Sequence, residues 1–451
     1  MKRKLFVITL CVLSIRTILS QEIILDKMAL RTSSALDNSL LSEVDLLSVN
    51  PKVDSIITNG IKNKAFPGAQ VLVAEKGKII FHKAYGFHTY DNIQPVALSD
   101  IYDLASVTKI LGPLPALMKL VEEKKLELDV PFSTYWKPWK GIKDKETITL
   151  REILAHQAGL QPYVVFLNKV LKKNGKLKNR FVKKSIKKRF ENEAYDGLYV
   201  KNKFNRKMYR IINRSKVSTE KKYVYSGLTF LIFPELIRQL TGVSYEEYIK
   251  ENFYTPIGAE TLGFLPMSKR YPNKIVPTEL DTLYRNTLTK GWVHDENASL
   301  LGGISGNAGL FGTANDLAKI MQLYLDYGIY NGERLLSEEV VKEFTRVQYP
   351  ENENRRGLGF DKPLLDNATL PFSEAYPAPQ LSSESFGHSG FTGTLAWADP
   401  AEGIVYIFLS NRVHPDAENR KLLTLSTRTR IQKVIYNSIT DENEKSGAKL
   451  I

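Results

Sequence analysis

Two strand–turn–strand patterns stand at opposite ends of the chain and constrain its fold more than any other feature. Gln70 to Tyr85 runs Val71-Leu72-Val73-Ala74, the turn Glu75-Lys76-Gly77-Lys78, then Ile79-Ile80-Phe81. Thr394 to Leu409 runs Leu395-Ala396-Trp397-Ala398, the turn Asp399-Pro400-Ala401-Glu402-Gly403, then the apolar run from Ile404. Short β-branched and aromatic runs around turn residues read as hairpins. The chain between them is patterned differently. Leu111, Leu114, Met118 and Val121 recur at helical spacing, in a run that Gly112-Pro113 and Pro115 should kink or split. Thr149 opens a short helix reaching His156, Thr313 is placed to cap a helix carrying Leu317, Ile320, Met321 and Leu325, and a last helix is expected from about Pro415 to Asn437. Strands at both ends with helices between them imply an α/β fold whose sheet is assembled from distant pieces of chain.

Composition narrows the chemistry. The 451 residues are 43% hydrophobic, enough to bury a sizeable core, and disorder, collagen and coiled coil are excluded. The single cysteine, Cys11, lies in the first twenty residues, so the remainder has no intrachain disulfide, Cys-ligated zinc or thiol nucleophile. Any nucleophile is oxygen or nitrogen. Residues 1–20 join a basic start (Lys2, Arg3, Lys4) to an apolar run too short to span a bilayer, the pattern of an export signal with an imperfect cleavage end at Ser20. Ile8-Thr9-Leu10, before Cys11, lack the small side chains of a lipidation signal. The expected division is a signal peptide (1–20), an N-terminal extension (21–50), one domain (51–440) and a tail (441–451), in a periplasmic or secreted protein.

The formal charge of +14 is local. Residues 161–222 hold 20 Lys and Arg against 4 Asp and Glu, net +16, so the rest of the chain is slightly acidic. Such a segment can contact an anionic polymer, lipid headgroups or nucleic acid. Its apolar and aromatic residues, among them Phe181, Tyr195, Phe204, Tyr209 and Ile212, favour a solvated helical insertion packed on the body. No nucleic-acid recognition motif is present, and no such partner is expected.

Three short segments carry chemistry. Ser106-Val107-Thr108-Lys109 is an S-x-x-K at the start of an apolar helix, which sets the hydroxyl and the amine one turn apart on one face. A serine hydroxyl attacks only when a neighbouring base takes its proton, and a desolvated lysine is such a base. Tyr225-Ser226-Gly227 precedes a second apolar helix ending at Thr241-Gly242, and His388-Ser389-Gly390 leads into the strand at Leu395. Competing patterns fail. No G-x-S-x-G elbow is complete, and the six histidines include no HExxH; His156 and His294 read as hydrogen-bonded structural groups. No metal or cofactor is expected.

Ser-x-x-Lys, then Tyr-Ser, then His-Ser-Gly, in that order, resembles the serine β-lactamase and penicillin-binding-protein superfamily, and within it the branch of class C β-lactamases, DD-peptidases and serine esterases. Leu154-Ala155-His156-Gln157-Ala158-Gly159-Leu160 and the stretch Gly309 to Leu317 are similar to two further family segments, so the likeness covers roughly residues 50–440. The resemblance implies a β-lactamase-like fold: an antiparallel sheet flanked by helices, built from the N- and C-terminal parts, plus a mostly helical subdomain over about 110–300. It makes Ser106 the acylating nucleophile, Lys109 its proton partner and Tyr225 the second member of a shared base. His388, Ser389 and Gly390 would bind substrate where the family has Lys-Thr-Gly, and the backbone N–H groups of Ser106 and Phe391 would form the oxyanion hole. Two departures matter. Gly227 stands where the family places a side chain that contacts the substrate amide or the lysine, and His388 replaces a permanent cation with a group expected to titrate near neutrality. The expected activity is acyl-enzyme hydrolysis of a small-molecule or peptide substrate of cell-wall type: a D-Ala peptide, a β-lactam or an ester. The alternative is a catalytically weak or inactive module that binds cell-wall or anionic surface ligands, the latter through 161–222.

Overall fold

The computed structural model describes residues 46–269 and 274–448; the expected signal peptide with Cys11, most of the N-terminal extension and the end of the tail lie outside them. The two hairpins meet in one sheet. Strands β1 (Gly68–Glu75), β2 (Lys78–Gly86), β3 (Phe386–Ser389), β4 (Leu395–Asp399) and β5 (Ile404–Ser410) are antiparallel neighbours in the order β3-β4-β5-β1-β2. The join is the β1–β5 pair, with Val71 opposite Phe408 and Leu72 opposite Ile407. Lys76 and Gly77 take φ of 48° and 81°, the left-handed pair that lets a two-residue turn follow the twist of β1 and β2.

The longer helices include α1 (Leu46–Lys62), α2 (Pro113–Glu122), α3 (Phe204–Asn213), α4 (Ala314–Leu325) and α5 (Thr427–Ala448). Both faces of the inner strands are covered, which is why β1, β4 and β5 are buried almost throughout and read as near-continuous apolar runs. Val71, Val73, Trp397, Tyr406 and Phe408 join a core with Val53 and Ile57 of α1 and Ile431 and Ile435 of α5. Their neighbours Leu72, Ala74, Ala396, Val405 and Ile407 point the other way, into a larger core with Leu117 of α2 and Leu317 and Ile320 of α4. Burying a side chain the size of Phe408 contributes about 2–3 kcal/mol, so a one-residue slip of β5 would forfeit several such terms at once.

The helix signals place their elements. Thr313 Oγ1 accepts from the Asp316 N–H at 3.4 Å to open α4, and Gly112 separates α2 from the turn before it. The last helix begins later than expected, since α5 starts at Thr427 after a single turn at Lys421–Thr424. None of the described helices is long and apolar enough to cross a membrane.

The basic segment departs from its helical expectation. Val182–Lys183, Asn192–Tyr195 and Leu198–Val200 form a three-stranded antiparallel sheet, and α3 is the only helix longer than one turn among the described residues of 161–222. The cause is local. Asp196-Gly197, with Gly197 at φ 63°, is a tight hairpin turn between Tyr195 and Leu198, and the flanking β-branched and aromatic residues favour strands.

Candidate active site

Ser106 sits in a 3-10 turn, Ala105–Val107, that runs straight into the helical turn Thr108–Leu111. Ala105 has φ 45°, a conformation that costs a residue bearing a Cβ about 1–3 kcal/mol and persists only when its surroundings impose it. Here they do. The Ala105 N–H donates to Asp103 Oδ1 at 2.9 Å, and the His294 N–H to Asp103 Oδ2 at 2.6 Å. From the loop after β3, Thr392 Oγ1 donates to the Asp103 carbonyl at 2.8 Å and Thr394 Oγ1 to the Leu104 carbonyl at 3.0 Å. The strand end and the serine turn are therefore one rigid unit. Gly390 is demanded by that approach, because a Cβ there would stand 2.1 Å from Thr394 Oγ1 and 2.5 Å from the Leu104 oxygen.

Lys109 is buried, at 2% exposure, and its Nζ donates to Ser106 Oγ at 2.9 Å and to the Asn307 carbonyl at 2.9 Å. Its Nζ lies 5.6 Å from the ring centre of Tyr225 and 5.5 Å from that of Phe230. Tyr225 is held from behind. Its ring packs on His156 with centroids 4.5 Å apart, and His156 Nδ1 accepts the Ser226 N–H at 3.2 Å. Burial, and then the nearby Arg356, hold the His156 pKa well below its ordinary value, as an acceptor nitrogen requires. His156 thus has the structural role expected of it. Ser226 Oγ donates to the Gln161 carbonyl at 2.7 Å and the Gly227 N–H to the Pro162 carbonyl at 3.2 Å, so the start of the basic segment also braces this loop.

His388 differs from its expectation. Its Nδ1 lies 2.7 Å from the Ser389 carbonyl, a contact only an N–H can make, which leaves Nε2 as the lone pair facing Tyr225 Oη at 3.5 Å. Burial, reinforced by Arg356 and Lys109, pushes its pKa down to about 3. It is a neutral acceptor at physiological pH, neither a cation nor a switch near neutrality. His388 and Gly390 are buried behind the cavity wall, and Ser389 contributes its carbonyl to His388; Phe391, 51% exposed, reaches the cavity itself.

Two further groups escaped the sequence. Asp361 takes Arg356 at 3.0 Å and Arg355 at 2.9 Å; burial raises its pKa, but the two guanidinium groups outweigh that and hold the carboxyl low. Asp361 also exchanges backbone hydrogen bonds with Gly387 of β3, and Arg356 stands 5.7 Å from the Tyr225 ring, so this pair supports the Tyr225–His388 contact from below. The second group is an acidic wall. A cavity of about 920 Å³ opens in front of Ser106 and Lys109, and Glu279, Asp295, Glu296, Asp416 and Glu418 line its far side. Burial pushes the Glu296 carboxyl up, and Glu279, 3.0 Å from His294 Nε2, raises that histidine against the effect of burial. Gly227 also faces the cavity, and a Cβ there would meet nothing within 4 Å.

The structure thus brings Ser106, Lys109 and Tyr225 to one cavity, with His388 buried against Tyr225 behind its wall. Comparison with known proteins identifies the family. The family model "Beta-lactamase" matches residues 53–428. A "Putative D-alanyl-D-alanine carboxypeptidase" of Salmonella agona (strain SL483) is 30% identical over 399 residues, which cover 82% of this chain and 84% of the relative. Among solved structures, a penicillin-binding protein homologue from Caulobacter crescentus superposes with a TM-score of 0.60 at 18% identity, covering 86% of this chain and 97% of the other. EstCE1, a hydrolase with promiscuous acyltransferase activity, gives a TM-score of 0.60 at 16% identity over 86% and 98%. A match across nearly the whole folded region, on a sheet joined from the two ends of the chain, places this protein in the beta-lactamase family of serine hydrolases.

Proposed function

We propose that this protein is an exported hydrolase that works through an acyl-enzyme on Ser106, with neutral or cationic ester and amide substrates preferred over anionic ones. The observation that carries the reading is Lys109 Nζ at 2.9 Å from Ser106 Oγ on the floor of a substrate-sized cavity. Ser106 Oγ attacks the substrate carbonyl carbon while its proton passes to Lys109 Nζ. The developing oxyanion is received by the backbone N–H groups of Ser106 and Phe391. The proton then moves by way of Tyr225 Oη to the leaving group, the carbonyl–leaving-group bond breaks, and an ester on Ser106 remains. Water attacks that ester, returning the hydroxyl to Ser106 and releasing the acid. His388 acts through Tyr225: as a neutral acceptor at Nε2 it orients the phenolic proton and is a positioning residue.

Charge guides the choice of substrate. Lys109 and the Glu279-paired His294 are the basic side chains lining the cavity, against the carboxylates of its far wall. His388 supplies no cation for a substrate carboxylate. A β-lactam, which carries such a carboxylate, should therefore turn over slowly, and a neutral ester or an amide bearing an ammonium group should be favoured. The carboxypeptidase relative supports a cell-wall setting, in keeping with the targeting pattern of residues 1–20, whereas the free C-terminal carboxylate of a carboxypeptidase substrate is the group that the charge of this cavity disfavours.

Intact-mass spectrometry of the wild type and Ser106→Ala after exposure to a penicillin, a fluorophosphonate and a p-nitrophenyl ester tests this reading. A single acyl or phosphonyl adduct on the wild type alone, formed fastest with the ester, is the expected result. Folded wild-type protein that takes no adduct from any reagent overturns it in favour of a binding module.

A further inference from the structure

Away from the active site, the basic segment builds a second cavity. It has a volume of about 970 Å³ and lies between α3, the stretch from Trp136 to Lys145 and the helix Phe233–Thr241. Arg206, Arg210 and Arg214 follow one another at four-residue steps along α3 and its C-terminal end, so all three project on one side of that helix and line the cavity. All three are exposed, and among the described residues none has a carboxylate within ion-pair distance. The lining also holds two acids, Asp144 and Glu235, and Glu235 is engaged by the Arg238 guanidinium at 3.0 and 2.7 Å.

The base of this cavity is fixed, unlike that of a solvated charge run. The indole N–H groups of Trp136 and Trp139 both donate to Asn213 Oδ1, at 2.8 and 3.0 Å, and Tyr209 packs edge-on to Trp136 at 5.8 Å. Lys145 is wholly buried, with its Nζ donating to the Ser215 carbonyl and 5.9 Å from the Trp139 ring. On the other side of α3, burial and then Arg180, Lys169, Lys178 and Arg210 depress the pKa of Lys207, which shows how closely like charges crowd this helix. Folding has gathered cations that repel one another around a rigid aromatic pocket. An anion relieves that repulsion, and guanidinium forks suit tetrahedral oxyanions with several oxygens.

We infer that this cavity is a second binding site, for a ligand bearing closely spaced phosphate groups, held by Arg206, Arg210 and Arg214 against the Trp136–Tyr209 wall. Soluble oligophosphates and lipid headgroups with two phosphates, such as that of cardiolipin, share that chemistry. The test uses the full chain, with tripolyphosphate followed by calorimetry at low and high salt, and pelleting with anionic vesicles containing cardiolipin or with neutral phosphatidylcholine vesicles.

Tripolyphosphate should bind the wild type and weaken at least about tenfold between 50 and 300 mM salt. The triple variant Arg206→Gln, Arg210→Gln, Arg214→Gln should lose about tenfold or more in affinity with unchanged ester hydrolysis and melting temperature. A control variant, Lys183→Gln, Lys184→Gln, Lys187→Gln, removes the same charge elsewhere on the segment and should bind as the wild type does. Pelleting with anionic vesicles that the triple variant loses makes a headgroup the ligand; tripolyphosphate binding without pelleting makes it a soluble phosphate. Absence of binding by the wild type, or equal loss in both variants, overturns the site.

Discussion

Gly390→Ala isolates the contact between the β3 end and the serine turn. The new methyl would stand 2.1 Å from Thr394 Oγ1 and 2.5 Å from the Leu104 oxygen, whereas ordinary contact begins at 3.4 Å. Both obstacles are held by hydrogen bonding: Thr394 Oγ1 donates to that same Leu104 oxygen, and Thr392 anchors the loop to Asp103. The strand end must therefore retreat by about 1 Å, at an overpacking cost of about 1–3 kcal/mol. Phe391, next in the chain, retreats with it, and loss of one oxyanion donor lowers kcat by about 10²–10³. Substrate binding elsewhere in the cavity is untouched, so KM should change far less. The assay is steady-state hydrolysis of p-nitrophenyl acetate beside thermal unfolding. A variant that melts a few degrees lower yet keeps kcat within about threefold of the wild type would refute the assignment of the Phe391 N–H.

Other expectations follow from the same geometry. His388→Phe should lower kcat on the order of tenfold with KM nearly constant, by freeing the Tyr225 proton from its acceptor. The wild-type kcat profile should show no acid limb near pH 6.5 from this residue, since its pKa lies near 3; a limb there that the variant abolishes would contradict the neutral-acceptor role. Asp326 ends α4, where a negative charge opposes the helix dipole, and burial raises its pKa to about 6. The folded state thus binds its proton more tightly than the unfolded chain, and stability falls as pH rises from about 4 to 6. Asp326→Asn should accordingly gain about 1–2 kcal/mol at pH 7.5, with the gain in melting temperature shrinking toward pH 4.5. Glu296→Gln should raise the kcat/KM ratio of a succinate hemiester over an acetate ester by about fivefold, the effect of removing one carboxylate at roughly 1 kcal/mol; an unchanged ratio would mean that the acidic wall does not face the acyl group.

What the sequence made legible shares one physical property: it is carried by neighbours along the chain. Val71 to Ala74 and Ile404 to Leu409 show as strands because both faces of the sheet are covered, and Thr313 announces α4 through a cap three residues long. Ser106 and Lys109 meet because a helical turn brings them together. Elsewhere the decisive partner is remote. The ordinary titration of histidine says nothing about His388, whose neutrality comes from burial beside Arg356 and Lys109. The acidic wall draws on residues from 279 to 296 and from 416 to 418, with no spacing to connect them. Ala105 is strained by Asp103, Thr392 and Thr394 in concert, and no local pattern marks it. The Asp196-Gly197 hairpin is a local turn signal too, set within a run of lysines and arginines whose charge carries no information about strands.

The β1–β5 pairing also sets the timetable of synthesis. β1 and β2 emerge from the ribosome early, with the edge of β1 bare, and the strand that covers it is among the last segments made. Until then the two apolar faces of the sheet have only part of their cover, and the turn that carries Ser106 lacks Thr392 and Thr394 to hold it. Contacts so distant in sequence form slowly. The five-stranded sheet therefore cannot close before the final hairpin has been made, and the turn that carries Ser106 is held in place only after that.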